Sequence, residues 1–133
     1  MSVGPVTLGR MSVPAKPPAL GRVGEMAALA DYRRRGYSLV AQNWSCSIGE
    51  LDLVLGRPAE GLLVFCEVKT RAGSGFGGPF EAVNWRKQRK LRQLAEAFLA
   101  SAPAGFERIR FDVASVLFDR GGVASVHVFE DAF

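Results

Sequence analysis

Two apolar segments joined by a short Pro- and Gly-containing connection constrain the fold of this chain more than any other feature. They lie within residues 49–71, which read GELDLVLGRPAEGLLVFCEVKTR. Each segment has the length of a β-strand, and the connection at residues 58–61 predicts that the two strands form an antiparallel hairpin. In that hairpin Arg57 is expected to lie opposite Leu62.

Charged side chains are concentrated at one end of the predicted hairpin. Counting back from the turn places Asp52 opposite Glu67, with an uncertainty of about one residue. Directly opposed antiparallel side chains have Cβ atoms roughly 4.5–5.5 Å apart. Two carboxylates that close repel each other unless a proton or a cation lies between them. Alternation adds Glu50 to the Asp52 face and Lys69 to the Glu67 face, so this end is a candidate metal site.

The apolar pattern of the hairpin predicts that it lies inside a sheet. Alternation places Leu51, Leu53 and Leu55 together on the face of the first strand that is opposite Asp52. The second strand is apolar on both faces along most of its length, which is typical of an interior strand covered by helices.

The rest of the chain predicts one domain built from helices and strands. Residues 1–20 contain four prolines and no acidic residue, and we interpret them as a flexible, slightly basic tail, with Met11 as an alternative start. Residues 21–133 form the predicted single domain. Helices are predicted at 21–35, ended by Gly36, and at 84–102, capped by Asn84 and buried along Leu91, Leu94, Ala95, Phe98 and Leu99. Further strands are predicted at 37–44, 107–118 and 123–129.

The composition indicates a cytoplasmic protein without a membrane span. No apolar run approaches the roughly 20 residues that a spanning helix needs, and the N-terminal region lacks the apolar core of a signal peptide. Cys46 and Cys66 are too few for a disulfide framework.

Positive charge suggests a polyanionic partner. The net charge is +4 and the pI is near 9.5. Cations cluster in two places, at Arg33–Arg35 and in a second group that contains Arg86, Lys87, Arg89, Lys90 and Arg92. Such clusters are the electrostatic footprint of nucleic-acid binding, although solvated helix faces would produce the same pattern.

Several chemistries are disfavoured by the residues present. One histidine, His127, and two separated cysteines cannot supply a zinc site, and we expect His127 on the surface or in an edge strand. The G-x-G-x-x-G at Gly73, Gly75 and Gly78 is followed by Pro79 rather than by a helix, so it is a poor dinucleotide motif. A hard cation held by carboxylate and carbonyl oxygens remains. The alternative is a structural ion-pair network.

At these residues the chain resembles a known family. One arrangement resembles the PD-(D/E)XK signature of restriction-endonuclease-like nucleases: fourteen residues separate Asp52 from Glu67-Val68-Lys69. A predicted helix that carries Glu25 precedes this arrangement. Leu51 replaces the proline that usually precedes the aspartate. More narrowly, the chain is similar to the YraN family of small bacterial proteins, which is related to archaeal Holliday junction resolvases. The resemblance extends over residues 21–117 and rests on five segments in order: GRVGEMAALADYRRRGYSLVAQNW, GELDLVL, VFCEVKTR, FGGPFEAV with a following Lys, and RFDVASV.

The resemblance implies a fold and a chemistry. The fold would be α/β, with an α-β-β-β-α-β core and a central mixed sheet flanked by helices. The activity would be that of an endonuclease dependent on Mg²⁺ or Mn²⁺, acting on DNA, including branched DNA, as a homodimer. The implied catalytic residues are Asp52, Glu67 and Lys69, with a supporting carboxylate from Glu25. The metal ligands would be Asp52, Glu67, the Val68 carbonyl and, either directly or through a neighbour, Glu50.

The expected nucleic-acid contacts are Arg86, Arg89 and Lys90 of the basic cluster, together with Arg71 and Lys87. Arg71, Lys87 and Asp112 match family positions, and for these three both phosphate contact and core support remain open. Two alternatives remain as well: the same fold without catalysis, as a nucleic-acid-binding or partner-docking module, and RNA in place of DNA.

Overall fold

One sheet and two helices organise the residues that the structure, a computed structural model, describes: 17–73, 83–101 and 104–133. In chain order the elements are α1 (Pro17–Arg34), β1 (Ser38–Cys46), β2 (Gly49–Arg57), β3 (Leu62–Ala72), α2 (Trp85–Leu99), β4 (Arg108–Phe118) and β5 (Ala124–Phe129). The sheet has the order β1-β2-β3-β4-β5, and within it β3 and β4 are parallel while the other neighbours are antiparallel. The predicted α/β fold with a central mixed sheet is therefore confirmed. Most of the predicted tail, and Gly75 and Gly78, lie outside the described residues.

The central hairpin has the predicted register. Arg57 pairs with Leu62, and the paired positions continue to Leu53 and Cys66. A single 3₁₀ turn, Pro58–Glu60, makes the connection and ends at Gly61, whose φ of 61° is left-handed. Glycine suits that position because it has no Cβ to clash there.

Each face of the sheet is covered by one helix. On one face Leu53, Leu55 and Val64 pack with residues of α1 that include Ala28 and Tyr32. On the other face a second buried cluster joins the sheet to α2, and its members include Val54, Leu63, Phe65, Leu91 and Leu94. The prediction of interior strands covered by helices is confirmed.

The alternation of β2 is interrupted next to Asp52. Leu51 packs in the α2-side cluster, whereas Leu53 and Leu55 pack on the α1 side. The prediction that all three share one face is therefore wrong for Leu51. The neighbouring strand is irregular at the same level, since Asn43 has a φ of 50°.

Helix α1 approaches β3 closely at Gly24. A Cβ at this glycine would overlap with the Oγ1 atom of Thr70. The helix begins at Pro17, earlier than predicted, and its end before Gly36 is confirmed by the left-handed φ of 92° at that glycine. The close approach brings Glu25, the next residue of the helix, to the end of the sheet.

Helix α2 begins as predicted. The side chain of Asn84 accepts a hydrogen bond of 2.9 Å from the backbone N–H of Lys87 and so caps the first turn. The helix ends at Leu99, three residues before the predicted end, and Leu99 is 38% exposed, so its predicted burial is wrong. The other four residues of the stripe are buried. Neither described helix is long and apolar enough to cross a membrane.

Strand β5 lies at the sheet edge and pairs antiparallel with β4, as predicted. His127 is exposed on this edge strand and stacks on Phe129, with 4.2 Å between ring centroids. The prediction for His127 is confirmed.

Candidate active site at one end of the sheet

Asp52 lies where the ladder between β2 and β3 ends. Leu53 pairs with Cys66, and beyond that pair the Asp52 carboxylate accepts a hydrogen bond of 2.8 Å from the backbone N–H of Val68. The Asp52 side chain thus takes the place of a backbone carbonyl of β2 as the partner of this β3 N–H. Among the described residues this N–H is the hydrogen-bond partner of the Asp52 carboxylate. No cation among them forms an ion pair with that carboxylate.

The protonation of Asp52 is perturbed by its surroundings. Burial raises the pKa of the Asp52 carboxyl to about 7, and the charges of Glu67 and Glu25 act in the same direction, while the Val68 hydrogen bond and the charge of Lys87 oppose them. Burial disfavours the charged form because the interior solvates an anion poorly. Asp52 therefore keeps its proton to a higher pH than an ordinary aspartate does.

Glu67 shares this end of the sheet and has a cation as partner. Its side chain is 12% exposed and lies 3.3 Å from the Nζ atom of Lys87, which belongs to the first turn of α2. This ion pair brings Lys87 to the charged end of the sheet. Gln88, the next residue of α2, donates a hydrogen bond of 2.7 Å to the carbonyl of Val83.

Glu25 approaches the site from α1. Its carboxylate accepts a hydrogen bond of 2.9 Å from the side-chain amide of Asn43 on β1. Burial raises the pKa of Glu25, the charges of Glu50 and Glu67 act in the same direction, and the Asn43 hydrogen bond opposes them. These mutual effects show that the carboxylates of the helix and of both hairpin strands influence one another.

The remaining candidate residues surround this group. Lys69 is half-buried in β3, two residues after Glu67, and forms no hydrogen bond or ion pair with the described residues. By alternation it shares the face of Glu67, as does Arg71. Glu50 is exposed near the start of β2, where its charge acts on Glu25.

The donor set suits a hard cation that keeps part of its water shell. Within the described ranges, no three Asp, Glu, His or Cys side chains are grouped closely enough to hold an ion by themselves. Mg²⁺, however, is commonly bound through one or two carboxylates and several waters. Asp52 and Glu67, with the carbonyl of Val68 next to Glu67 in β3, provide such a set.

Asp112 has a different environment from Asp52. It is fully buried on β4 and accepts two hydrogen bonds of 2.8 Å from Arg110 and one of 2.7 Å from the hydroxyl of Tyr32. The backbone N–H of Asp131 donates another at 3.0 Å. A carboxylate with this many donors is a structural element of the core, and its position favours core support over phosphate contact.

The predicted cations divide between the two helices. Arg86, Arg89 and Lys90 are exposed on α2 and line one open groove. The arginines at the end of α1 lie elsewhere: Arg34 pairs with Asp31 at 2.6 Å, and Arg35 pairs with both Asp31 and Glu130.

Two residues of this region were not predicted from the sequence. Asn43 has a positive φ opposite Asp52, and an asparagine inside a predicted strand is a usable signal because asparagine is depleted from strands. Trp85, at the start of α2, is 63% exposed. No sequence pattern distinguishes such a tryptophan from a core residue.

Comparison with known proteins identifies the family. The model of a family described as "Uncharacterised protein family UPF0102" matches residues 24–116. A UPF0102 protein of Desulforamulus reducens is 46% identical over 114 residues, covering 84% of this chain and 90% of the relative. One from Clavibacter michiganensis is 46% identical, covering 85% and 94%, and one from Nocardia farcinica is 48% identical, covering 77% and 80%. The chain therefore belongs to the UPF0102 family, the YraN family whose segments its sequence resembles.

Proposed function

We propose that this protein is a divalent-metal-dependent nuclease that hydrolyses phosphodiester bonds in DNA. One observation carries the proposal: Asp52 is half-buried beside the charge of Glu67 with no cation paired to it among the described residues. A purely structural carboxylate is normally neutralised, as Asp112 is by Arg110. A divalent cation would relieve the repulsion between Asp52 and Glu67.

In this proposal Asp52, Glu67 and the Val68 carbonyl hold Mg²⁺ or Mn²⁺. Such an ion supplies charge neutralisation at the phosphate and lowers the pKa of the attacking water. Lys69, which has no partner among the described residues, would stabilise negative charge on the phosphoryl oxygens as water attacks phosphorus and the ester P–O bond breaks. Glu25 adds negative charge from α1, and the charge of Glu50 raises the pKa of Glu25.

A cleavage assay with metal tests the proposal. Wild-type protein with Mg²⁺ or Mn²⁺ is incubated with linear, nicked, single-stranded and four-way-junction DNA. Asp52→Ala and Lys69→Ala are expected to abolish cleavage while circular dichroism remains unchanged. Glu96→Ala, which removes an exposed carboxylate from α2, is the matched control and should cleave like wild type. Absence of cleavage on every substrate with either metal would overturn the proposal.

A second candidate is a nucleic-acid-binding module without catalysis, favoured by the ion pair between Glu67 and Lys87. This pair neutralises Glu67 without a metal. In that case calorimetry with Mn²⁺ would detect no binding, and Asp52→Ala would bind DNA as tightly as wild type. A nuclease would instead bind Mn²⁺ and lose that binding in Asp52→Ala.

The proposal includes a homodimer, because two symmetric nicks in a branched substrate need two active sites. Light scattering after size-exclusion chromatography, with and without junction DNA, measures this part separately. A monomer bound to the junction would refute symmetric nicking by a dimer, but it would not contradict the proposed hydrolysis.

A further inference from the structure

An open groove beside the candidate site combines an exposed aromatic ring with cations. Its volume is about 510 Å³. The described residues that line it are Ile48, Trp85, Arg86, Arg89, Lys90 and Gln93. Three of these side chains are cationic and none of the described lining residues is acidic, so this part of the groove is complementary to a polyanion.

Trp85 stands out because it does not serve the core. It is 63% exposed, whereas Trp44, the other tryptophan of the chain, packs edge-on against Phe98 with 5.3 Å between ring centroids. The guanidinium of Arg86 lies 6.0 Å from the Trp85 ring centroid, which is at the outer limit of a cation–π contact. The indole therefore presents its surface to the groove.

The groove and the candidate active site share helix α2. Lys90 lies against the turn between β1 and β2, since its Cε atom is 3.0 Å from the position that a Cβ of Gly49 would occupy. Asp52 follows three residues later in β2. On α2, Lys87 is adjacent in sequence to Arg86 and forms the ion pair with Glu67. Helix α2 thus contributes to both the groove and the carboxylate site, and Ile48, in the turn that leads into β2, lines the groove.

We infer that the groove binds a single-stranded segment of nucleic acid, with one unpaired base stacked on Trp85 and its phosphates on Arg86, Arg89 and Lys90. The inference rests on the proposed nuclease function and specifies its substrate, which would carry unpaired nucleotides next to the scissile bond. Bases inside a duplex are covered on both faces by their neighbours, so a duplex can use the cations but not the indole. Aromatic platforms in cationic grooves are the usual means of holding single strands.

Binding measured without divalent metal tests this inference separately from catalysis. Fluorescence anisotropy in EDTA compares an oligothymidylate of roughly a dozen nucleotides, a length within the usual range of single-strand sites, with a duplex of equal length. Trp85→Ala should weaken binding of the single strand by about 5- to 100-fold. Its effect on duplex binding should stay within about twofold, because duplex binding depends on phosphate contacts. Trp85→Phe should retain part of the single-strand affinity.

Two controls separate stacking from charge. Arg86→Ala should weaken both forms, because phosphate contacts are independent of strandedness. Arg108→Ala removes an exposed cation from the start of β4, at the end of the sheet opposite Asp52, and should change neither. In Trp44→Phe, Trp85 is the remaining tryptophan, and its fluorescence should be quenched when the oligothymidylate binds.

Specific results would overturn the inference. In Trp85→Ala, an equal loss of affinity for both DNA forms, or no loss for either, would do so. Unquenched Trp85 fluorescence would also do so. Displacement of the oligothymidylate by polyglutamate at equal chain concentration would indicate an acidic peptide instead. Cleavage assays with Mg²⁺ keep the two proposals apart. Trp85-dependent binding without cleavage would refute the nuclease alone, and cleavage unaffected by Trp85→Ala would refute the stacking site alone.

Discussion

The side-chain amide of Asn43 donates a hydrogen bond of 2.9 Å to the carboxylate of Glu25, which joins strand β1 to helix α1 at the candidate site. Asn43 also has a φ of 50°, a left-handed conformation that asparagine tolerates better than most residues. In β1 it lies between two positions paired with β2, Gln42 with Leu53 and Trp44 with Leu51. The irregular backbone and the polar contact therefore coincide opposite Asp52, and unusual backbone of this kind clusters at functional sites.

Replacement of Asn43 should separate the two roles of this residue. Asn43→Gly removes the hydrogen bond but accepts the positive φ, whereas Asn43→Ala removes the bond and adds backbone strain. We expect the alanine variant to be less stable than the glycine variant by about 1 kcal/mol in urea unfolding. In both variants the pKa of Glu25, followed by NMR, should rise further because the opposing hydrogen bond is lost. Equal stabilities, or an unchanged titration of Glu25, would contradict these roles.

The raised pKa of Asp52 predicts a specific dependence of stability on pH. The folded carboxyl has a pKa of about 7 against an ordinary value of 3.8, so the folded state binds the proton more tightly than the unfolded state. The contribution of Asp52 to the free energy of unfolding should therefore fall as pH rises from about 4 to about 7 and then level off.

Asp52→Asn isolates this effect, because asparagine does not ionise and retains an acceptor for the Val68 N–H. The variant should be more stable than wild type near pH 8 by a few kcal/mol at most, because a pKa difference of one between the folded and unfolded states corresponds to about 1.4 kcal/mol. The gain should vanish near pH 4. Thermal unfolding across this range measures the difference. Mg²⁺ should stabilise wild type at the higher pH and leave the variant unchanged. A gain independent of pH would contradict the assignment.

Much of the fold could be predicted from the sequence because its signals are local. The hairpin register followed from the turn and from the apolar lengths of the two strands, and the start of α2 followed from Asn84, whose side chain caps it. The side on which Leu51 packs could not be predicted, because it depends on an interruption of alternation beside the positive φ of Asn43. That irregularity is a property of two strands together and has no periodic signature.

The candidate site could be predicted only in part, for a related reason. Asp52 and Glu67 lie in one hairpin, so sequence counting relates them directly. The ion pair between Glu67 and Lys87, by contrast, depends on how α2 packs against the sheet. The difference between Asp52 and Asp112 is equally invisible in the sequence, since it depends on the donors that tertiary structure brings to each carboxylate.

Gly24 should be required for the position of α1. A Cβ there would overlap with Thr70, so Gly24→Ala is expected to push the helix away from β3 and to lower the free energy of unfolding by about 1–3 kcal/mol. Gly21→Ala is the matched control in the same helix, because nothing lies within 4 Å of its added Cβ. That variant should gain up to about 1 kcal/mol from helix propensity. Thr70→Gly combined with Gly24→Ala should recover part of the loss. Equal effects of the two glycine substitutions in urea unfolding would contradict the close approach.

Asp112 and Asp52 should respond oppositely to substitution. Asp112→Ala leaves the guanidinium of Arg110, whose side chain is 16% exposed, with only the more distant carboxylate of Glu130, at 3.7 Å, among the described residues. Removing one member of a buried pair typically costs about 3–5 kcal/mol, and we expect a loss of that size in urea unfolding. The double replacement Asp112→Leu with Arg110→Met should be less destabilised, because no unpaired charge remains. Asp52→Ala, in contrast, should remain folded and abolish cleavage. A stable Asp112→Ala variant that specifically loses activity would instead place Asp112 in the catalytic machinery and remove the distinction on which the proposed site depends.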